Sequence, residues 1–229
     1  MGMATGPWRR GCVAVLLAAL PVHVPERPGG GALTARMSAG QLPRGRAAEL
    51  AAGKCLVAAR NLPDPHFGGS VVLLADYGKE GAMGLILNVP TEVPVSRVLG
   101  DMKGSRDRSE AVYFGGPVAR TGVVALLRAR AAVPDSRRVV DGVHMVTSRQ
   151  ALESALASGA TPNELRVYLG YSGWGPGQLE IEMARGAWHV LPADADMVFD
   201  PEPDSVWRRQ IARTERLIVW QLVPILPTS

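Results

Sequence analysis

From Cys55 onward the chain is a succession of short apolar runs separated by Gly, Pro and Asp, and most are not followed by a helical pattern. A doubly wound parallel sheet needs a helix after nearly every strand. Strands that come in runs argue instead for an α+β fold with a mixed sheet. The predicted strands are Cys55–Ala59, Val71–Ala75, Met83–Val89, Ala111–Phe114, Val123–Leu127, Val139–Val146, Leu165–Leu169 and Trp188–Leu191. Within Val139–Val146, Asp141-Gly142 is a turn or bulge signal. Val95–Met102 reads as a short helix. Thr147 reads as an N-cap with Gln150 completing a capping box, and Leu152, Ala155 and Leu156 form one apolar face before Gly159. Pro176 stands where a first helical residue would, with Leu179 and Met183 on one face. Asp204 or Ser205 caps a last helix that carries an apolar stripe through Trp207, Ile211 and Ile218.

The first 50 residues read differently. They hold six Arg against two acids, which accounts for the whole net charge of +4 and leaves 19 basic and 19 acidic groups in the remainder. A protein that binds nucleic acid through phosphates needs a clustered basic excess, so direct DNA binding is doubtful for the balanced body. Arg9 and Arg10 precede an apolar run from Cys12 to Leu20, which is signal-peptide-like and too short to span a bilayer. The region after it is crowded by Pro21, Pro25 and Pro28, a poor cleavage context. Three readings of this segment stay open: an export signal with a tether, a disordered extension, or an overextended start with Met37 as the true one. The division adopted is residues 1–47 as a signal-like or disordered extension and linker, and 48–229 as a single α+β domain. The cytoplasm is favoured over export, because Cys55 has no cysteine partner in a mature domain.

The search for chemistry yields little. Two cysteines exclude a disulfide scaffold and a multi-thiolate zinc site. No two of His23, His66, His144 and His189 share the i, i+4 spacing that grips a metal from a helix face. Gly170-Tyr171-Ser172-Gly173-Trp174 nearly matches the G-x-S-x-G nucleophile elbow but ends in Trp174. Glu180 and Glu182 are two apart on a helix and diverge. Arg209, Arg213 and Arg216 read as a solvated face. No catalytic constellation emerges, so the expectation is a chain that is not an enzyme and carries no cofactor or metal.

Two glycine-rich turns remain as weak ligand-binding candidates, because glycine permits close backbone approach. Their residues are Gly115 and Gly116 in one, and Tyr171, Gly173, Gly175, Gly177 and Gln178 in the other, with Asn88 added as a turn residue. The second turn also leads into a helix start, where free N–H groups could meet an anion. The packing alternative has Trp174 at least half buried and Gln178 close to the turn backbone.

Taken together, Gly53–Ala58, Leu62–Phe67, Ser70–Leu74, Gly81–Asn88, Gly115–Val118 and above all Gly170–Glu180 resemble the YqgE/AlgH family of bacterial proteins. The blocks keep the family's order and the resemblance covers roughly residues 50–220. It departs at Ser172, where the family usually has Ala, at Val89, where it often has Arg, and in the long N-terminal segment. The resemblance implies an α+β domain with a mixed, partly barrel-like sheet flanked by helices. It brings no catalytic residues; one branch of the family is described as a transcriptional regulator. The expected function is a non-enzymatic regulatory or interaction domain acting indirectly, through an unknown protein or small-molecule partner. The alternative is a small-molecule or nucleotide-binding protein, or a hydrolase, that uses the glycine-rich turns.

Overall fold

The computed structural model describes residues 49–222, with the side chains of 218–222 excepted. The predicted N-terminal extension and Ile218 of the apolar stripe therefore lie outside the described residues and side chains. The strands are β1 (Lys54–Ala58), β2 (Val71–Gly78), β3 (Gly81–Ile86), β4 (Pro90–Pro94), β5 (Ala111–Phe114), β6 (Val118–Arg128), β7 (Ser136–Val140), β8 (Val143–Val146), β9 (Leu165–Trp174) and β10 (Trp188–Pro192). The helices are α1 (Val95–Val98), α2 (Arg149–Ala157), α3 (Gln178–Ala184), α4 (Ala195–Val198) and α5 (Pro203–Leu222). Among the described residues no helix is long and apolar enough to cross a membrane.

The main sheet runs β10-β1-β2-β3-β9-β6-β8-β7, and β4 and β5 attach to it through β9. All pairings are antiparallel except β5 with β9, where Tyr113 faces Tyr168 and Phe114 faces Leu169. The sheet is thus mixed, and it curls into a half-barrel. Arg137 on β7 donates to the Ala75 carbonyl of β2 at 2.7 Å. A Cβ at Gly53, just before β1, would lie 2.8 Å from the Val139 carbonyl oxygen of β7.

Both faces of the sheet are covered, which explains why the strands read as continuous apolar runs rather than alternating ones. On β1, Cys55 and Val57 point into a core closed by Met197 and Val198 of α4 and by Val206 and Ile211 of α5. Leu56 and Ala58 point the other way, into a core shared with Trp174, Trp188 and α3. A third core packs α1 and α2 against Ala125, Leu127, Val146, Leu165 and Val167.

Several elements differ from the sequence expectation. Val139–Val146 is not one strand: Asp141-Gly142 is a full turn, with Gly142 at φ 71, and β7 and β8 form a hairpin. The cap of α2 is Ser148, whose side chain accepts from the Ala151 N–H at 3.1 Å, so the box from Thr147 to Gln150 does not form. Only Val95–Val98 of the expected helix to Met102 is helical. Pro203 itself opens α5, which places Asp204 in its first turn rather than at the cap. β4 was hidden by its prolines, which read as strand breakers but are tolerated on a short edge strand.

Candidate functional site

The glycine-rich segment is a strand for longer than expected. β9 continues through Gly170 to Trp174, because β3 pairs with its second half, Ala82 with Trp174 and Gly84 with Ser172. The turn is confined to Gly175–Gly177. Gly177, at φ 74, is the N-cap of α3, so Pro176 stands outside the helix instead of at its first position. Two glycines of β3 lie against Trp174, Gly81 against its backbone and Gly84 against its ring. A Cβ at Gly81 would overlap the Trp174 carbonyl oxygen, and one at Gly84 would lie 3.4 Å from the Trp174 ring.

Trp174 is 2% exposed and stands at the centre of an aromatic cluster. Phe67 stacks on it at 5.8 Å, and Trp188, the first residue of β10, meets it edge-on at 6.1 Å. Glu182, one turn along α3 from Gln178, accepts from both indole N–H groups, at 2.9 Å from Trp174 and 2.8 Å from Trp188. Its other oxygen accepts from Gln178 Nε2 at 3.0 Å, and Gln178 Oε1 accepts from the Gly175 N–H at 3.1 Å. Gln178 therefore clasps the turn backbone, as expected, and passes its orientation to Glu182. Glu180 points elsewhere and accepts from the Tyr77 hydroxyl at 2.6 Å. That hydrogen bond, with some burial, pushes the Tyr77 phenol up to about 12.

Beside this cluster lies a cleft of about 260 Å³. Its lining includes the rings of Trp174, Trp188 and Phe67, the loop 61–64, and Gly173, Gln178, Glu182, Arg185 and Pro117. Its lining holds no histidine, cysteine, serine or lysine. With three donors on its two oxygens, Glu182 serves to fix the rings in place.

The expected site residues are only partly gathered here. Gly173 and Gln178 line the cleft, and Gly175 and Gly177 form the turn that holds Gln178. Gly115 and Gly116 lie behind β9 and pack on its backbone: a Cβ at Gly115 would overlap the Gly170 carbonyl, and one at Gly116 the Tyr171–Ser172 peptide. The two glycine turns therefore do not face one cleft; only Pro117, following the first, reaches it. Tyr171 is half buried opposite Val118 of β6. Asn88 accepts from the Val71 N–H at 2.8 Å and donates to the Gly69 carbonyl at 3.0 Å, pinning the loop to the start of β2. Ser172 is fully buried and donates to the Gly115 carbonyl at 3.1 Å, with no base beside it. Phe67, Trp188 and Glu182 were not foreseen as one group. The signal available was rarity: with aromatics at 5% of the chain, each is worth placing first in any core.

A family model described as AlgH-like matches residues 55–217. The chain belongs to this AlgH-like family. Among curated relatives, a UPF0301 protein of Thioalkalivibrio sulfidiphilus is 40% identical over 161 residues, covering 69% of this chain and 86% of the relative. A UPF0301 protein of Streptomyces avermitilis is 38% identical, covering 70% and 85%. Two solved structures have the same fold. A crystal structure of a Corynebacterium diphtheriae protein superposes with a TM-score of 0.61 at 27% identity, covering 72% of this chain and 87% of the other. The solution structure of the AlgH protein from Pseudomonas aeruginosa gives 0.58 at 28%, covering 75% and 93%.

Proposed function

We propose that this AlgH-like chain is a non-enzymatic interaction domain whose cleft takes an apolar or aromatic group of a small ligand or partner, and that any regulation it exerts is indirect. One observation carries this: the cleft is lined by three aromatic rings, and Glu182, the partly buried carboxylate beside them, is spent on orienting two of them. Aromatic walls with few convergent polar groups are the usual make-up of a recognition pocket. Acid–base or nucleophilic work needs a free base beside a nucleophile. The lining carboxylates are Glu182, held by three donors, and Asp64, whose Oδ1 accepts from two backbone N–H groups, and no serine, cysteine, lysine or histidine lines the cleft with them. The balanced charge of residues 51–229 supports action through a ligand or partner rather than on DNA. A nucleotide held by both glycine turns gains less support, since the space above Gly115 and Gly116 is filled by the β9 backbone. The family resemblance favours the cytoplasm as the compartment, and mass spectrometry of the native N-terminus checks this.

The test is a binding screen of the full chain by protein-observed NMR with indole, naphthol and short aromatic peptides, run beside a low-salt gel shift. Saturable shifts at the indole N–H signals of Trp174 and Trp188, with no retarded DNA, are expected. Tight sequence-specific DNA binding, or ester turnover abolished in Ser172→Ala, would overturn the proposal.

A further inference from the structure

We infer that Arg120 and His66 form an anion-binding subsite beside this cleft, so that the natural ligand is an apolar or aromatic body bearing one carboxylate or phosphate group. The inference rests on the cleft being the binding site and adds the chemical class of its ligand.

Arg120 lies in the exposed first half of β6, and its Nη2 contacts His66 Nε2 at 3.2 Å. Since a guanidinium only donates, His66 accepts here, and four of the five guanidinium N–H groups are left over. Both groups sit by the Phe114 ring, Arg120 at 5.9 Å and His66 at 6.3 Å between centroids. Among the described residues no carboxylate lies within ion-pairing distance of Arg120; the exposed Arg97, Arg185 and Arg213 share that, and Arg120 differs from them in its contact with an imidazole. The acid nearest His66 in the chain is Asp64, and its Oδ1 is engaged by the N–H groups of His66 and Phe67. A cationic group held against an imidazole, and not ion-paired to a carboxylate of the protein, is suited to a ligand's anion; guanidinium matches carboxylate and phosphate bidentately.

The backbone under Arg120 is held in an unusual shape. Ala119 has φ 46, a left-handed conformation that alanine rarely adopts, and such strain gathers at functional sites. Gly116 and Gly170 let two segments of the chain cross closely: a Cβ on Gly170 would overlap the Gly116 carbonyl and lie 3.4 Å from the Arg120 Cα. The crossing fixes where the Arg120 side chain starts. The pair is also tied to the cleft through the chain. Asp64 and Phe67, on either side of His66, line the cleft, as does Pro117, three residues before Arg120.

Isothermal titration of the full chain with naphthol, naphthoate and naphthyl phosphate tests this. At least one anionic probe should bind roughly tenfold or more tighter than naphthol, the effect of a charge-assisted hydrogen bond. Raising the salt should shrink that gain. Arg120→Gln should remove the gain and leave naphthol binding unchanged, and His66→Ala should reduce it. Arg185, the cation in the cleft lining itself, is the rival site, and if Arg120 holds the anion Arg185→Gln keeps the gain, as does Arg213→Gln on the exposed side of α5. Which anionic probe gains more tells a carboxylate ligand from a phosphate. Equal affinity for all three probes, or a gain lost with Arg185 instead of Arg120, overturns the subsite and leaves the cleft standing. No binding of any probe overturns both.

Discussion

At the scale of single residues, Trp174 and Ser172 lie two apart on β9 with very different consequences. The indole of Trp174 is nearly fully buried, touches Phe67 and Trp188, and supplies one of the three donors to Glu182. Trp174→Ala is therefore expected to cost about 3–5 kcal/mol, the range for truncating a large buried aromatic, read by urea denaturation. A loss below about 1 kcal/mol, typical of surface substitutions, would mean the ring contributes to binding alone. Ser172 donates one neutral hydrogen bond to the Gly115 carbonyl, which also accepts from the Ile86 N–H at 3.0 Å. Removing the hydroxyl leaves that carbonyl satisfied. Ser172→Ala should cost no more than about 0.5–1.5 kcal/mol, in the same denaturation experiment.

At the scale of elements, the sequence was legible wherever burial alone decides structure. The apolar runs at β1, β2 and β5 stand out because each is largely buried or ends at a clear break. Bounds were missed where a distant partner decides. β9 runs on through Gly170 and Gly173 because β3 offers it a ladder, and no local pattern announces that. Trp174 and Gln178 could be placed from the glycines and proline around them, whereas Trp188 reaches the same cleft through the register of β10 with β1, and Phe67 from the loop before β2, where its N–H donates to Asp64 Oδ1. The α2 cap shows how fine such a miss can be. Thr147 and Ser148 are both good cap residues by type, and only the backbone picks Ser148, at φ −87 and ψ 143. Ser148→Ala should cost about 1 kcal/mol, the usual loss of a side-chain cap, and Thr147→Ala distinctly less. Thermal denaturation of the two variants checks the order.

At the scale of the whole molecule, the ionisable groups predict a lopsided response to pH. On the acid side, Glu164 and Glu215 are held below their ordinary 4.5, Glu164 by the backbone and side chain of Thr161, Glu215 by Arg60. A lowered carboxylate stabilises the fold above its unfolded value, and the contribution fades as pH falls through the folded one. Both groups are exposed and screened by solvent, so this limb should be shallow. On the alkaline side the groups are tied to the core. Tyr77 moves from 10.0 to about 12 through its bond to Glu180, while burial raises Tyr113, Tyr168 and the Cys55 thiol. A raised acid contributes fully below its unfolded value and loses that contribution as pH climbs towards the folded one. Ionising Tyr168 or Cys55 would place an anion inside the core between the sheet and α4–α5. Desolvation makes that far costlier than unfolding locally. The denaturation midpoint should therefore stay nearly level through neutral pH, begin to fall near pH 9, where a free thiol ionises, and drop steeply above about pH 10, where free phenols ionise as well. Phenolate absorbance should rise together with the loss of structure. Tyr77, Tyr113 and Tyr168 titrating near their ordinary value in a chain that is still folded would show that the core does not hold them as described.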